Sequence, residues 1–233
     1  MPRSWPARLY ITLVSLAGVA TLALGAQQSR ISDMNGFLAL LALAVITSRL
    51  KVKLPGMKAS MSVNLPFLLL ASAQIELLPT LLIAGAATAV QCFARKLSPE
   101  KLVQIAFNVS AVLLAITAAF GVQHRVHLTG FAGAALLVLG AATYLLVNTG
   151  LVSGIVCLTG EQPLVRTWTG IFTLTYLYYA MSAGVVAVTM SIGANLGVLL
   201  VSLAVVYGAY RSFQLYFVAM SGMPEATAVG ARD

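Results

Sequence analysis

Between Gly130 and Leu158 the chain carries no charged residue, and that run excludes an ordinary soluble fold. A helix needs about 20 apolar residues to cross roughly 30 Å of bilayer hydrocarbon, whereas a soluble surface helix keeps one charged face. Several further windows read the same way. The chain of 233 residues is 60% hydrophobic and 9% charged, far from the roughly 25% charged of soluble domains. The expected fold class is all-α, a polytopic transmembrane helical bundle of about eight hydrophobic segments, with residues 1–220 as a single transmembrane domain and 221–233 as a polar, mobile cytoplasmic tail.

Taken in order, the segments fall at about Leu9–Ala26, Gly36–Thr47, Met61–Ile75, Pro79–Phe93, Ser98–Val122, Gly130–Leu158, Trp168–Ser191 and Gly193–Phe217. The first follows Arg3 and Arg8 and ends in small residues, as a secretory signal does; it reads as a first transmembrane helix or signal anchor. The third and fourth are separated by little more than Glu76. Pro66 and Pro79 lack a backbone donor and disfavour helix just before them, so neither run is expected to be one straight spanning helix. A Pro-broken hairpin, spanning or re-entrant, fits, and any non-helical backbone at that depth must be covered by protein or line a wet cavity. Ser98, Pro99 and Glu100 mark a helix start. The sixth segment is longer than a span requires, so a tilt or a bend near Asn148-Thr149-Gly150 is expected.

Charge sets the orientation. Arg49, Lys51, Lys53 and Lys58, around the Pro55-Gly56 turn, cannot sit in hydrocarbon, and Arg95, Lys96 and Lys101 form a second basic cluster. With a cytoplasmic N-terminus and eight segments, twelve of the fourteen Lys and Arg residues face the cytoplasm, leaving Arg30 and Arg125 outside. Merging the hairpin into one span would put the two clusters on opposite faces. The expected location is therefore a bacterial inner membrane, with both termini cytoplasmic. The net charge of +8 is dispersed between apolar runs and forms no continuous stripe, which points to topology and lipid headgroups rather than nucleic acid.

Polar side chains inside spans are the candidate functional groups, because each needs a partner where lipid replaces water. Gln104 and Asn108 share one helical face, as do Tyr144 and Asn148, with Gly140 extending the latter. Thr169, Thr173 and Tyr176 form a stripe on the seventh segment, with Tyr179 beside it. If these faces converge with Gln91 and Glu76, they make a polar pocket for a small ligand or a lipid headgroup. The competing reading is interhelical glue, at about 0.6 kcal/mol per side chain. Glu76 is the one carboxylate in an apolar context, either a solvated residue at the outer interface or a functional group. Gly150-x-x-x-Gly154 and Gly193-x-x-x-Gly197 read as close-packing faces.

Catalytic signatures are missing from the sequence: no paired carboxylates, no Ser/His/Asp set, no phosphate loop and no HExxH. No metal site is expected. Cys92 and Cys157 stand far apart without metal-site spacing and read as buried small residues. His124 and His127 flank Arg125; a solvated loop pair is the main reading, with haem or pigment ligation the minor one.

RLKVKLPGMKASMSVNLPFLLL, then FNVSA, then YLLVNTGLVSGIVCLTGEQPL resemble the multi-span membrane region ahead of bacterial GGDEF diguanylate-cyclase and HD-GYP phosphodiesterase domains. The likeness covers roughly residues 49–166 and, more loosely, YRSFQLYF at 210–217. It implies an input module with a cytoplasmic C-terminus. No GGDEF or HD-GYP sequence follows here, so nucleotide signalling is not implied. The first expectation is a non-enzymatic, sensor-like module binding a small or lipidic ligand within the bundle. The alternatives are an accessory subunit of a larger respiratory or pigment-bearing membrane complex, which implies partner subunits or a homo-oligomer, and a solute carrier component.

Overall fold

The computed structural model describes residues 4–53, 60–93, 98–124, 130–160, 163–193 and 195–221. The Pro55-Gly56 turn, Lys58, Arg95, Lys96, Arg125, His127 and the tail from residue 222 lie outside the described residues. Eight helices and a two-stranded ribbon follow in order: α1 Trp5–Gln28, α2 Met34–Ser48, β1 Lys51–Lys53, β2 Ser60–Ser62, α3 Leu65–Gln74, α4 Leu77–Cys92, α5 Pro99–Gln123, α6 Gly130–Thr159, α7 Leu164–Ile192 and α8 Leu196–Ser221. By length and composition α1, α5, α6, α7 and α8 can cross a membrane. The chain is thus a helical, membrane-embedded protein. The other three helices are shorter, with 15 residues in α2, 10 in α3 and 16 in α4.

Local chemistry explains most boundaries. Asp33 accepts from the Gly36 amide at 2.9 Å to start α2, and Ser98 accepts from the Lys101 amide at 3.3 Å with Pro99 at the first position of α5. Pro66 and Pro79 both fall in first turns, where a missing N–H costs nothing, so they begin helices and kink none. Between α3 and α4 the chain is extended at Ile75 and Glu76. Ser29 at the end of α1 accepts the Leu78 amide at 2.8 Å, and the Thr80 hydroxyl donates to the Ala71 carbonyl at 3.1 Å, tying the two short helices together. Helix α6 runs unbroken through Asn148, Thr149 and Gly150; its extra length is not absorbed by a break there.

The helical expectation holds, and a short two-stranded ribbon is added to it. Met61 and Ser62, expected to open the third segment, instead join Ser60 in a strand that pairs antiparallel with residues 51–53, Lys51 opposite Ser62 and Lys53 opposite Ser60. β-Branched Val52 and Val63 are buried, so the ribbon is tucked into the bundle, and the Val63 amide donates to the Leu50 carbonyl at 3.2 Å. Lys51 and Lys53 stay exposed, two residues apart on one face of β1. Arg49 is exposed at the end of α2.

At the centre lies α3, buried without interruption from Leu65 to Ser72 and packed against α2, α4, α5 and α7. Phe67, Leu68, Leu69 and Leu70 are among the fully buried side chains. Because lipid tails are as apolar as leucine, such contacts stabilise through close packing and dispersion rather than water release. Gly18 shows the closeness: a Cβ there would stand 2.5 Å from the Ser110 Cβ, which is how α1 lies against α5.

The expected Gly193-x-x-x-Gly197 face is also corrected. Gly193 lies outside both helices at φ 98°, a left-handed conformation that stops α7, and Gly197 belongs to the first turn of α8, which Asn195 caps by accepting the Val198 amide at 3.0 Å. The sixth-segment pair splits: Gly154 admits Tyr10, whose hydroxyl would meet a Cβ at 2.6 Å, whereas nothing lies within 4 Å of a Cβ at Gly150.

Candidate functional site: a cavity at the basic end of the bundle

Every helix that lines the main cavity contributes the same end. Thr88–Phe93 close α4, Glu100–Val112 open α5, Tyr144–Thr159 close α6 and Ile171–Tyr179 open α7, with Lys51, Met61 and Ser62 of the ribbon and Asn64 at the start of α3 adding to the wall. The cavity, open to one side, has a volume of about 860 Å³, within the size range of small-molecule sites. The two-stranded ribbon forms part of the wall at this end.

Six residues expected on polar faces meet here: Gln91, Gln104, Asn108, Tyr144, Asn148 and Tyr179. The side-chain amide of Asn148 donates to the Tyr179 hydroxyl at 3.3 Å, and the Tyr144 and Tyr179 rings lie 5.9 Å apart, joining α6 to α7. Asn108 donates to the Cys92 sulfur at 3.3 Å, joining α5 to α4. Lys101 donates to Gln104 at 3.0 Å one turn along α5. Thus some of the expected glue contacts exist, yet the residues that make them also face open space. The Tyr144 side chain is 5% exposed, and its hydroxyl has no hydrogen-bond partner among the described residues.

Two expected members lie elsewhere. Tyr176 is half-exposed on the outer face of α7, stacked on Phe172, and Thr169 and Thr173 share that outward stripe. The inward face is rotated from it and runs through Thr175, Tyr178, Tyr179 and Ser182. Glu76 sits at the opposite end of the bundle, accepting from the Ser32 hydroxyl. That bond, above all, holds its carboxyl below the usual value of 4.5.

Several lining groups escaped sequence reasoning. Tyr178 accepts the Leu65 amide at 2.9 Å, anchoring the start of α3 to α7. The Ser62 hydroxyl donates to the Asn64 side-chain oxygen at 2.8 Å. The periodicity of Thr175, Tyr178, Ser182, Val186 and Thr189 carries the signal for Tyr178, since these recur every three or four residues. Nothing local marks Asn64 as buried.

His124 ends α5 away from the cavity, stacked on Phe120 at 3.8 Å with Nδ1 3.1 Å from the Phe120 carbonyl. Cys92 and Cys157 are free thiols and only half-buried, and Cys92 lines the cavity. Among the described residues no group of His, Cys, Asp or Glu could hold a metal ion. No protein-family model, characterised protein or solved structure matches the chain.

Proposed function

We propose that this chain is a non-enzymatic, sensor-like membrane protein that binds a small ligand in the cavity, reached from the cytoplasmic side of a bacterial inner membrane. The convergence of Gln91, Gln104, Asn108, Tyr144, Asn148 and Tyr179 from four helices on one cavity carries the reading. Purely structural glue has no need of an open volume beside it.

All eight helices lie within the bilayer in this reading. The ten residues of α3 rise only roughly 15 Å, about half the hydrocarbon thickness, and the ribbon that precedes α3, with Lys51 and Lys53 exposed, lies at the basic surface. Pairing with β1 satisfies the extended backbone of residues 60–62. The start of α1 then lies on the basic side, where Ser4 donates to the Leu158 carbonyl at the end of α6, and α8 packs against β1. Contact with β1 also gives cavity occupancy a physical route to α8.

The test is purification in mild detergent from native membranes, followed by mass spectrometry of the intact particle. A small molecule is expected on the native chain and not on the doubly substituted Asn108→Leu, Asn148→Leu chain, whose thermal unfolding stays close to native. Arrival in fixed ratio with other polypeptides and an empty cavity would replace this reading with an accessory-subunit role. Retention of the molecule by the double variant refutes the site.

A further inference from the structure

We infer that the cavity takes an organic anion, a carboxylic acid or phosphate ester whose charged group stays at the Lys51 and Lys101 rim while its uncharged, oxygen-bearing body lies deeper among the tyrosines. This rests on the ligand-binding reading above and adds the chemical class.

The rim comes first. Lys51 and Lys101 both line the cavity, and Lys53 shares the strand face of Lys51. Among the described lining residues Glu100 is the one carboxylate; it is exposed at the rim beside Lys101, so the deeper wall carries no negative charge. A cation entering here meets two ammonium groups against the one Glu100 carboxylate, and deeper in it would find no counter-charge among the described lining residues.

The interior has the matching polarity. The Tyr178 and Tyr179 hydroxyls already accept, from the Leu65 amide at 2.9 Å and from Asn148 at 3.3 Å, which leaves each its own proton to donate. The hydroxyl of Tyr144, a residue 5% exposed, has no hydrogen-bond partner among the described residues. Asn64, 6% exposed, has its oxygen taken by Ser62, while its amide group has no acceptor among the described residues. Asn108 and Asn148 each spend one of two amide protons, on Cys92 and Tyr179, and keep the other to donate beside a side-chain oxygen that accepts. The positive end of the α3 dipole lies at Leu65, on the same wall. A ligand that accepts more hydrogen bonds than it donates and carries negative charge at one end satisfies this surface.

Cys92 is a built-in reporter, because it lines the cavity and Cys157→Ser leaves it as the single thiol. The full chain in neutral detergent is reacted with three methanethiosulfonates: neutral methyl, anionic sulfonatoethyl and cationic trimethylammonioethyl, with rates normalised to a free small thiol. The anionic reagent is expected to react about tenfold faster than the cationic one, within the range for charge focusing in a cleft. In the Lys51→Gln, Lys101→Gln chain that preference should fall to near unity. If the neutral reagent fails to reach Cys92 in the folded protein, the cavity itself is closed and the ligand-binding reading falls with the inference. If the neutral reagent reacts but the cationic one matches or beats the anionic, or if the double lysine variant keeps the preference, the anion inference alone is overturned. Repeating the neutral-reagent measurement in phosphatidylcholine nanodiscs, with and without phosphatidylglycerol, identifies the source. Slowing by the anionic lipid assigns the site to a lipid headgroup; unchanged labelling with the charge preference intact assigns it to a dissolved anion.

Discussion

Removing one oxygen atom at Tyr178 should weaken this protein more than any other single-atom change among the cavity tyrosines. In the first turn of α3, Pro66 has no N–H, and the Phe67 and Leu68 amides both donate to the Asn64 carbonyl. That leaves the Leu65 amide as the donor without a backbone acceptor, and the Tyr178 hydroxyl takes it at 2.9 Å. Leu65 and Tyr178 are each 3% exposed, so Tyr178→Phe strands a buried donor at a cost of about 1–3 kcal/mol. Tyr179→Phe is the control: it loses a longer bond of 3.3 Å from the Asn148 side chain, which can turn to another partner as the fixed Leu65 amide cannot, for about 0.6 kcal/mol. Equilibrium unfolding in mixed micelles with increasing dodecyl sulfate measures both. Equal losses, within about 0.5 kcal/mol, would refute the reasoning, since they would mean that water reaches the Leu65 amide and that the start of α3 is wet.

The two glycines of α6 should separate cleanly. Gly154→Ala pushes into the Tyr10 hydroxyl, which donates to the Leu151 carbonyl at 3.1 Å, and should cost about 1 kcal/mol or more in the same assay. Gly150→Ala meets nothing and should be neutral or stabilising by up to about 1 kcal/mol. Glu76 supplies a pH dependence: its pKa is lower folded than unfolded, so the stabilisation is present above the ordinary value of 4.5 and is lost as pH falls through the folded pKa. Ser32→Ala should remove most of that acid-side slope between pH 5 and the folded pKa, and an unchanged slope would show that the Ser32 bond is not its source.

Length, apolarity and charge placement are properties of the chain itself, and they marked the helical membrane class and the five long helices without any knowledge of packing. The cap residues Ser98 and Pro99 could be read directly because a helix start is a local event, settled within four residues. So could the shared faces of Gln104 with Asn108 and of Tyr144 with Asn148, since spacing along a helix fixes them. Which way those faces turn is another matter. Tyr176 and Tyr178 are two residues apart, yet one points outward and the other anchors α3, because the rotation of α7 is set by its neighbours and nothing in an apolar helix reveals it.

The ribbon shows the same limit from another side. Residues 60–64 are polar enough for a surface loop and lead into an apolar run, so local preference permits either a loop or an early helix start. Pairing with residues 51–53 and burial of Val52 and Val63 decide the matter, and both are long-range events. The sequence by itself determined the class, the basic end and the polar residues available. Tertiary structure decided that a ten-residue helix fills the middle of the bundle and that a ribbon precedes it, because strand pairing and burial join residues distant in sequence, and it brought the polar faces of four helices together on one cavity.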